Sequence, residues 1–349
     1  MIEARSRAKW KNREGISEYA VRWNWAEDSS DSGFTAVLRV KDEARSLPFS
    51  LPGVLRCVER AIVVDNGSSD GTPEVALGVA EELGYGEKLR VLSYPFAVSR
   101  CGPEHLWTYP DSVHSLTYFY NWSFSHVQTR YALKWDGDMV LTPEGERVLR
   151  DLSWQLQGVD AAITMRRDPV YVESERVVYV DTVPGKAEPW GWRNSQAHTF
   201  SKAFDWELMM PRAGDLVTRL PNFACFELKW LDADEFGHWS HTDFKVEIND
   251  RKRREWELFH ALREEASLPE GVVRVESPEG LHIVEHLRRT YLPLVRRHAR
   301  TEAILRGLIG IEKRQPPLVE SRDEAAVLAG QDAASTAQPA YNRKGTSRE

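Results

Sequence analysis

The sequence holds no apolar run near the roughly 18 residues a bilayer-spanning helix requires, so a transmembrane segment is not expected. Residues 1–15, MIEARSRAKWKNREG, are charged and lack the apolar stretch of a secretory signal peptide. Cysteine is scarce as well. Cys57, Cys101 and Cys225 are odd in number and scattered, which argues against a disulfide framework and against a Cys-based zinc site. A reducing, cytoplasmic setting fits this usage, with peripheral contact at a membrane left open by the 13 tryptophans. An excess of positive charge is also missing. The 46 Lys and Arg face 53 Asp and Glu, a formal charge of −7, so no basic field is available to hold nucleic acid. There is no internal repeat.

What is present is enough apolar content to build a large core. With 349 residues and 42% hydrophobic side chains, the chain suits one large domain or two closely packed halves. Residues 1–33 read as an N-terminal arm. TAVLRV (35–40) and AIVVD (61–65) read as buried strands, and a short helix after Pro48 reaches Val58 between them. Thr72 as N-cap, Pro73 at the first helical position and Gly84 at the close predict a second helix. KLRVLSYPF (88–96) predicts a third strand, Ser112 to Val127 a helix, and RYALKWDGDMVL (130–141) a strand running into an acidic turn. Alternation at this spacing implies a parallel sheet with right-handed crossovers over 34–145. Over 146–312 the strand-like pieces AAITMRR, RVVYVDTV and AHTFSKAF suggest an antiparallel extension, followed by helices at 242–266 and 282–308. The tail 313–349, rich in Ala, Gln, Ser and Pro, is expected to be disordered.

Two acidic turns stand where buried strands reach their carboxyl ends, Asp65 in one and Asp136-Gly137-Asp138 in the other. Ligands of open parallel sheets bind in the crevice beyond those ends. Ionised carboxylates there need a partner, and a nucleoside diphosphate with Mg²⁺ or Mn²⁺ is a natural one, because hard cations take carboxylate and phosphate oxygens. Taken singly, each turn reads equally as a hydrophilic loop. Their order and spacing carry the stronger signal.

Four pieces carry a family resemblance: Val40-Lys41-Asp42-Glu43-Ala44, Val64-Asp65-Asn66-Gly67-Ser68-Ser69-Asp70-Gly71-Thr72, Asn121, and Trp135-Asp136-Gly137-Asp138-Met139. In this order they resemble the nucleotide-binding half of family 2 glycosyltransferases. The resemblance implies an α/β fold with a GT-A-like, Rossmann-type mixed sheet flanked by helices. It implies a metal-dependent enzyme that moves a sugar from a nucleotide-diphosphate sugar donor to an acceptor hydroxyl, with inversion. It assigns Asp65 to the nucleobase, with Val40, Lys41, Glu43, Asn66 and Gly67 in the donor pocket. Asp136 would face the ribose or the metal, and Asp138 would ligate the metal. Asp42 stands where such families often carry Asn. His238, in a late His-aromatic segment, resembles a histidine that returns to the metal or the diphosphate; packing among Trp230, Phe236 and Trp239 is the alternative.

For the catalytic base, Leu231-Asp232-Ala233-Asp234-Glu235-Phe236 offers Asp234 and Asp232, against the default of a solvated loop. Trp190 and Trp192, near Glu188, are expected to present ring faces to an acceptor sugar, or else to pack in a lid. The acceptor itself stays open among small-molecule, lipid-linked and polysaccharide classes. Two rival readings remain. His282-Ile283-Val284-Glu285-His286 matches the H-x-x-E-H pattern of zinc hydrolases, and a catalytically silent nucleotide-sugar-binding protein would carry the same acidic turns.

Overall fold

The computed structural model describes residues 11–25, 32–156, 159–183, 185–236, 250–264 and 267–308. Residues 1–303 form one compact unit; of a second, 304–349, only the end of the last helix is described. The expected tail 313–349 and the Thr242–Asn249 part of the expected helix lie outside the described residues.

The chain runs through β1 (Phe34–Val40), α1 (Leu47–Leu55), β2 (Arg60–Asp65), α2 (Thr72–Glu82), β3 (Leu89–Ser93), α3 (Pro103–Trp107), α4 (Leu116–Phe124) and β4 (Tyr131–Asp136). It continues through β5 (Met139–Leu141), α5 (Pro143–Gln155), β6 (Ala161–Met165), β7 (Arg167–Val172), β8 (Val177–Asp181) and β9 (Glu188–Arg193). The remainder is β10 (Ser201–Ala203), β11 (Trp206–Leu208), β12 (Leu216–Arg219), β13 (Cys225–Trp230), α6 (Asp250–Arg263), β14 (Val272–Glu276) and α7 (Ile283–Leu308).

Seven strands form the main sheet in the order β12-β6-β9-β4-β1-β2-β3. β3, β2, β1 and β4 are mutually parallel, while β9 enters antiparallel between β4 and β6. This is the expected α/β architecture, a mixed sheet flanked by helices. A second sheet, β14-β8-β7-β13-β5, was not foreseen as a separate layer. The stretch 130–141 is not one strand. It breaks at the acidic turn, so β4 belongs to the first sheet and β5 to the second. That break places Asp136-Gly137-Asp138 at the seam between the two sheets.

Period-two patterning explains the two faces of the main sheet. Ala36, Leu38, Val63, Leu133 and Trp135 pack in one core cluster with α1 and α2 residues. Val37, Ile62, Val64 and Ala132 pack in another with Tyr118, Phe119 and Trp122 of α4. The arm reaches this second cluster, where Tyr19 meets Tyr94, Phe96 and Trp122 and its carbonyl accepts from the Tyr118 hydroxyl. Phe226, Leu228 and Trp230 of β13 pack with Ile283, Leu287 and Tyr291 of α7.

Local signals hold with one correction. Ser115 caps α4 by accepting from Tyr118 N, and Thr142 caps α5 by accepting from Gly145 N at 3.1 Å, with Pro143 at the first turn. Thr72 is not the cap of α2. Gly71 takes that position with φ 82°, and Thr72 instead donates to Asp70 and accepts from Glu43 N at 2.8 Å. The expected cap is spent on tying two loops together.

Candidate active site

The carboxyl ends of β1, β2 and β4 lie on one edge. Register pairs Val40 with Asp65 and Arg39 with Asp136. With neighbouring strands about 4.8 Å apart, Asp65 and Asp136 sit two strand spacings from each other. The residues read as one constellation therefore reach one edge of the sheet, and Asp138 follows two residues on.

The Asp65 turn is built from backbone. The Asp65 carboxylate accepts from Gly67 N and Ser68 N, each at 3.2 Å, a turn that Gly67 closes with φ 72°. Asn66 donates its amide to Tyr94 O and Phe96 O at 2.8 and 2.7 Å, and its backbone N–H bonds to Val40 O. Asn66 thus fixes the turn rather than facing outward. The loop after β1 is laced to the loop after β2: Asp42, at φ 55°, accepts from Ser69 N at 2.7 Å, and its own N–H donates to Ser68 Oγ. Lys41 is exposed beside them. Asn121 is buried in α4, its amide bridging Thr117 O and Phe200 O, so its part is structural.

The acidic turn is pinned at its backbone. Ser50 Oγ donates to Gly137 O at 2.5 Å, Leu228 N to Asp138 O at 2.9 Å, and Trp135 Nε1 to Met139 O at 2.9 Å. Gly137 is there for close approach, since a Cβ would lie 2.9 Å from Glu43 Cγ and 3.1 Å from Val40 Cγ1. Asp136 is held by Arg39 at 2.8 Å, with Arg167 of β7 at 3.9 Å. Arg167 also pairs with Glu227 of β13. Glu227 meets Lys229 at 2.9 Å, and Lys229 meets Asp138 at 2.8 Å and Glu235 at 3.7 Å. The signs alternate along the whole path, Arg39, Asp136, Arg167, Glu227, Lys229, Asp138, and join the two sheets. Sequence reasoning missed Arg167, Glu227 and Lys229; Arg39 falls in the 39–43 stretch that the resemblance assigns to the base and ribose pocket. The signal lay in FELKW (226–230): opposite charges two apart share the face opposite Phe226, Leu228 and Trp230.

Burial and neighbours set the charge states. Burial pushes the Asp138 carboxyl up to about 7; Lys229 opposes this, and Glu227, Asp136 and Glu235 add to it. Burial and then Asp138 raise Glu43 well above the carboxylate range. For Asp136, burial is outweighed by Arg39, Lys134 and Arg167, which hold it below its ordinary value. Burial is likewise outweighed at Glu227, chiefly by Arg167 and then Lys229.

This arrangement was tested against the expected divalent ion. Mg²⁺ requires oxygens at about 2.0–2.1 Å in near-octahedral array. Among the described residues no three His, Cys, Asp or Glu side chains are grouped to hold a metal. Asp136 is committed to Arg39 and Asp138 to Lys229. The described residues do not fit the ion, and no step is assigned to it. His238 lies outside the described residues.

Other expected positions are corrected by their surroundings. Trp190 and Trp192 are not open platforms. They sit on β9 at 1% and 2% exposure. A register shift in the β6–β9 pairing sends them to different clusters. Trp192 packs on Phe124 and Phe200, while Trp190 lies 4.9 Å from Lys134 Nζ and 5.3 Å from Arg167. Glu188 pairs with Arg251 at 3.2 Å. Asp232 is exposed and gripped by Arg45 at 2.6 and 2.9 Å, and Asp234 is exposed on the same turn. His282 does not share a helical face with His286 as a ligand pair. α7 starts at Ile283, and His282 Nδ1 accepts from Val284 N while its ring stacks on Phe49 at 4.6 Å. A capping, stacked imidazole has no free geometry for zinc.

No family model matches the chain, and no curated protein matches its sequence. Among solved structures, similarity is found to the mannosyltransferase PcManGT from Pyrobaculum calidifontis in complex with GDP-Man and Mn²⁺. It has 13% identity and TM-score 0.39, over 90% of this chain and 83% of that one. S. aureus TarS 1–349 in complex with UDP matches at 12% identity and TM-score 0.36, over 65% of this chain and 78% of that one. A further structure of TarS 1–349 is matched over only 36% of its length. Glucosyl-3-phosphoglycerate synthase from Mycobacterium tuberculosis, with Mn²⁺, UDP and phosphoglyceric acid, matches at 16% identity and TM-score 0.26, over 43% of this chain and 49% of that one. At these values no residue role is carried over from them.

Proposed function

We propose that this chain is a glycosyltransferase that moves a sugar from a nucleoside-diphosphate donor to an acceptor hydroxyl in a single inverting displacement. The observation that supports this reading most is the meeting of Asp65 and Asp136-Gly137-Asp138, from two separated segments, at the carboxyl ends of the parallel strands of one mixed sheet. The Asp65 carboxylate accepts a nucleobase N–H, its own turn holding it in place through Gly67 N and Ser68 N. The donor diphosphate lies toward the acidic turn, where Arg39, Arg167 and Lys229 supply fixed positive charge as the leaving group gains negative charge. Asp234 is the better of the two base candidates, because Arg45 already engages both oxygens of Asp232. Binding without turnover, the silent alternative, is decided by the same experiment.

That experiment is a thermal-shift screen of UDP, GDP, ADP, CDP and dTDP, each with and without Mn²⁺, followed by transfer assays with the matching sugar nucleotides. One nucleotide stabilises the protein by an amount that grows with the logarithm of its concentration, about 2.7 kcal/mol at 100 times its Kd, and Asp65→Ala weakens the effect. Absence of any shift across the panel overturns the reading. A shift without turnover on any acceptor selects the silent binding protein.

A further inference from the structure

We propose that Lys229 is the resident cation of the acidic turn: its ammonium stands where a divalent ion would bridge Asp138 to the donor diphosphate, and the protein takes up no divalent ion there. The diphosphate half of this statement rests on the glycosyl-transfer reading; the ion half does not.

Three observations carry it. An ammonium has three donors and no acceptor, and Lys229 Nζ faces three carboxylates, Asp138 at 2.8 Å, Glu227 at 2.9 Å and Glu235 at 3.7 Å. The three carboxylates stand around the nitrogen at distances that suit an ammonium, and as they stand they are not grouped closely enough to hold a metal. The lysine is also not a loop residue that swings in by chance. It sits in a fully buried strand, β13, paired with β7 at Tyr171, while the segment of β13 before it pairs with β5. Finally, the turn opposite it cannot yield. Its backbone is pinned by Ser50, Leu228 and Trp135, and its glycine is packed against Glu43 and Val40. Asp136, the other carboxylate a metal would use, is held by Arg39 and approached by Arg167. An ion would enter only by displacing a buried ammonium, which would be left without the carboxylates that pair with it.

The test is a Mn²⁺ titration of the full chain followed by electron paramagnetic resonance, with no nucleotide present. Wild-type protein takes up no ion at Asp138. Lys229→Met frees the three carboxylates and gains Mn²⁺ affinity at least about tenfold, whereas Lys229→Arg gains none. If Lys229→Met does not fold, the Glu227→Gln/Lys229→Met double variant, which removes one charge of each sign, replaces it with the same expected gain. A stoichiometric wild-type site that Asp138→Asn abolishes overturns the proposal; a site that survives Asp138→Asn lies elsewhere and leaves it standing. In the nucleotide arm, stabilisation by the preferred diphosphate persists in EDTA within about threefold in Kd. Its loss in EDTA and return with Mn²⁺ also overturns the proposal. If no diphosphate binds under any condition, the glycosyl-transfer reading fails, and the ion titrations still decide the role of Lys229.

Discussion

The acidic ends of β2 and β4 are built in opposite ways. Asp65 is held by backbone N–H groups of its own turn, at 3.2 Å, with no basic side chain among the described residues bonded to it. Asp136 and Asp138 are each bonded to a buried cation, Arg39 and Lys229, and joined through Arg167 and Glu227. Neutral donors orient a carboxylate and leave its charge available to a ligand. Ionic partners neutralise it in advance and make the surroundings depend on it. The first construction suits recognition, and the second suits a fixed electrostatic field that needs little reorganisation. Variants in the two halves should therefore fail differently, one in binding and the other in folding.

The largest effect is expected at the middle of the ladder. Glu227→Ala leaves Arg167 and Lys229 facing each other without their shared carboxylate, in a largely buried site. Removing one member of a buried ion pair costs about 3–5 kcal/mol, so chemical denaturation should show a loss of that size. Glu227→Gln should lose less, because the amide keeps an oxygen acceptor. A Glu227→Ala protein within about 1 kcal/mol of wild type would erase the contrast between the two strand ends.

This ladder is also where the sequence was hardest to read. AIVVD and TAVLRV are uninterrupted apolar runs, and β1 and β2 fell within a residue of their expected places. The acidic turn was legible for the same reason, because charge at the end of a buried strand is conspicuous. β13 was missed because CFELKW carries two charges that pattern reading assigns to solvent, although all six residues are buried. Ion pairing inside the protein supplies what water would have supplied. β9 was missed because Glu188-Pro189-Trp190-Gly191-Trp192 has the residues of a loop. Pro189 is tolerated next to a register irregularity, and Gly191 lets Ile163 and Leu133 approach, so that a side chain there would meet them at 2.9 and 3.3 Å. β9 and β13 thus hide behind charges and turn residues that only the assembled sheets explain.

The second effect tests the recognition side. Asp65→Ala removes one charge-assisted acceptor for the nucleobase, so the Kd of the stabilising nucleotide should rise about tenfold to a hundredfold, or 1.4–2.7 kcal/mol. Folding stability should change by only about 1 kcal/mol, since the freed N–H groups of residues 67 and 68 lie in a partly exposed turn. Isothermal titration calorimetry separates the two quantities. A variant that binds normally but unfolds easily would mean that Asp65 is a turn residue and nothing more.

A smaller effect concerns a titrating group that has neither kind of partner. His126 stands edge-on to Trp122, with ring centroids 4.6 Å apart, and burial lowers it to about 4, the positive Arg90 adding to the shift. A folded-state value below the unfolded one favours the folded protein above about 6.5, and that advantage is lost as pH falls toward 4. The full difference is discounted because the ring is only partly enclosed, leaving about 1–2 kcal/mol. His126→Gln should flatten the acid limb of a stability–pH curve between pH 6.5 and 4 by that amount. An unchanged limb would place the acid sensitivity in the carboxylates instead.

The smallest effect on stability is expected at Asp232, and its value lies in what it separates. Its pair with Arg45 is short, at 2.6 Å, but both side chains are about half exposed or more, and Arg45 also lies over the Trp230 ring at 3.7 Å. Exposed pairs of this kind contribute at most about 0.5 kcal/mol, and the stacking on Trp230 survives the substitution. Asp232→Ala should therefore unfold at the wild-type denaturant midpoint within error, in contrast to Glu227→Ala five residues earlier. If the same variant loses transfer activity a hundredfold or more, Asp232 is the base, since no structural failure accounts for the loss. If it keeps activity while Asp234→Ala loses it, the base is Asp234, and the Arg45 pair is a surface contact that leaves the neighbouring carboxylate free to take the acceptor proton.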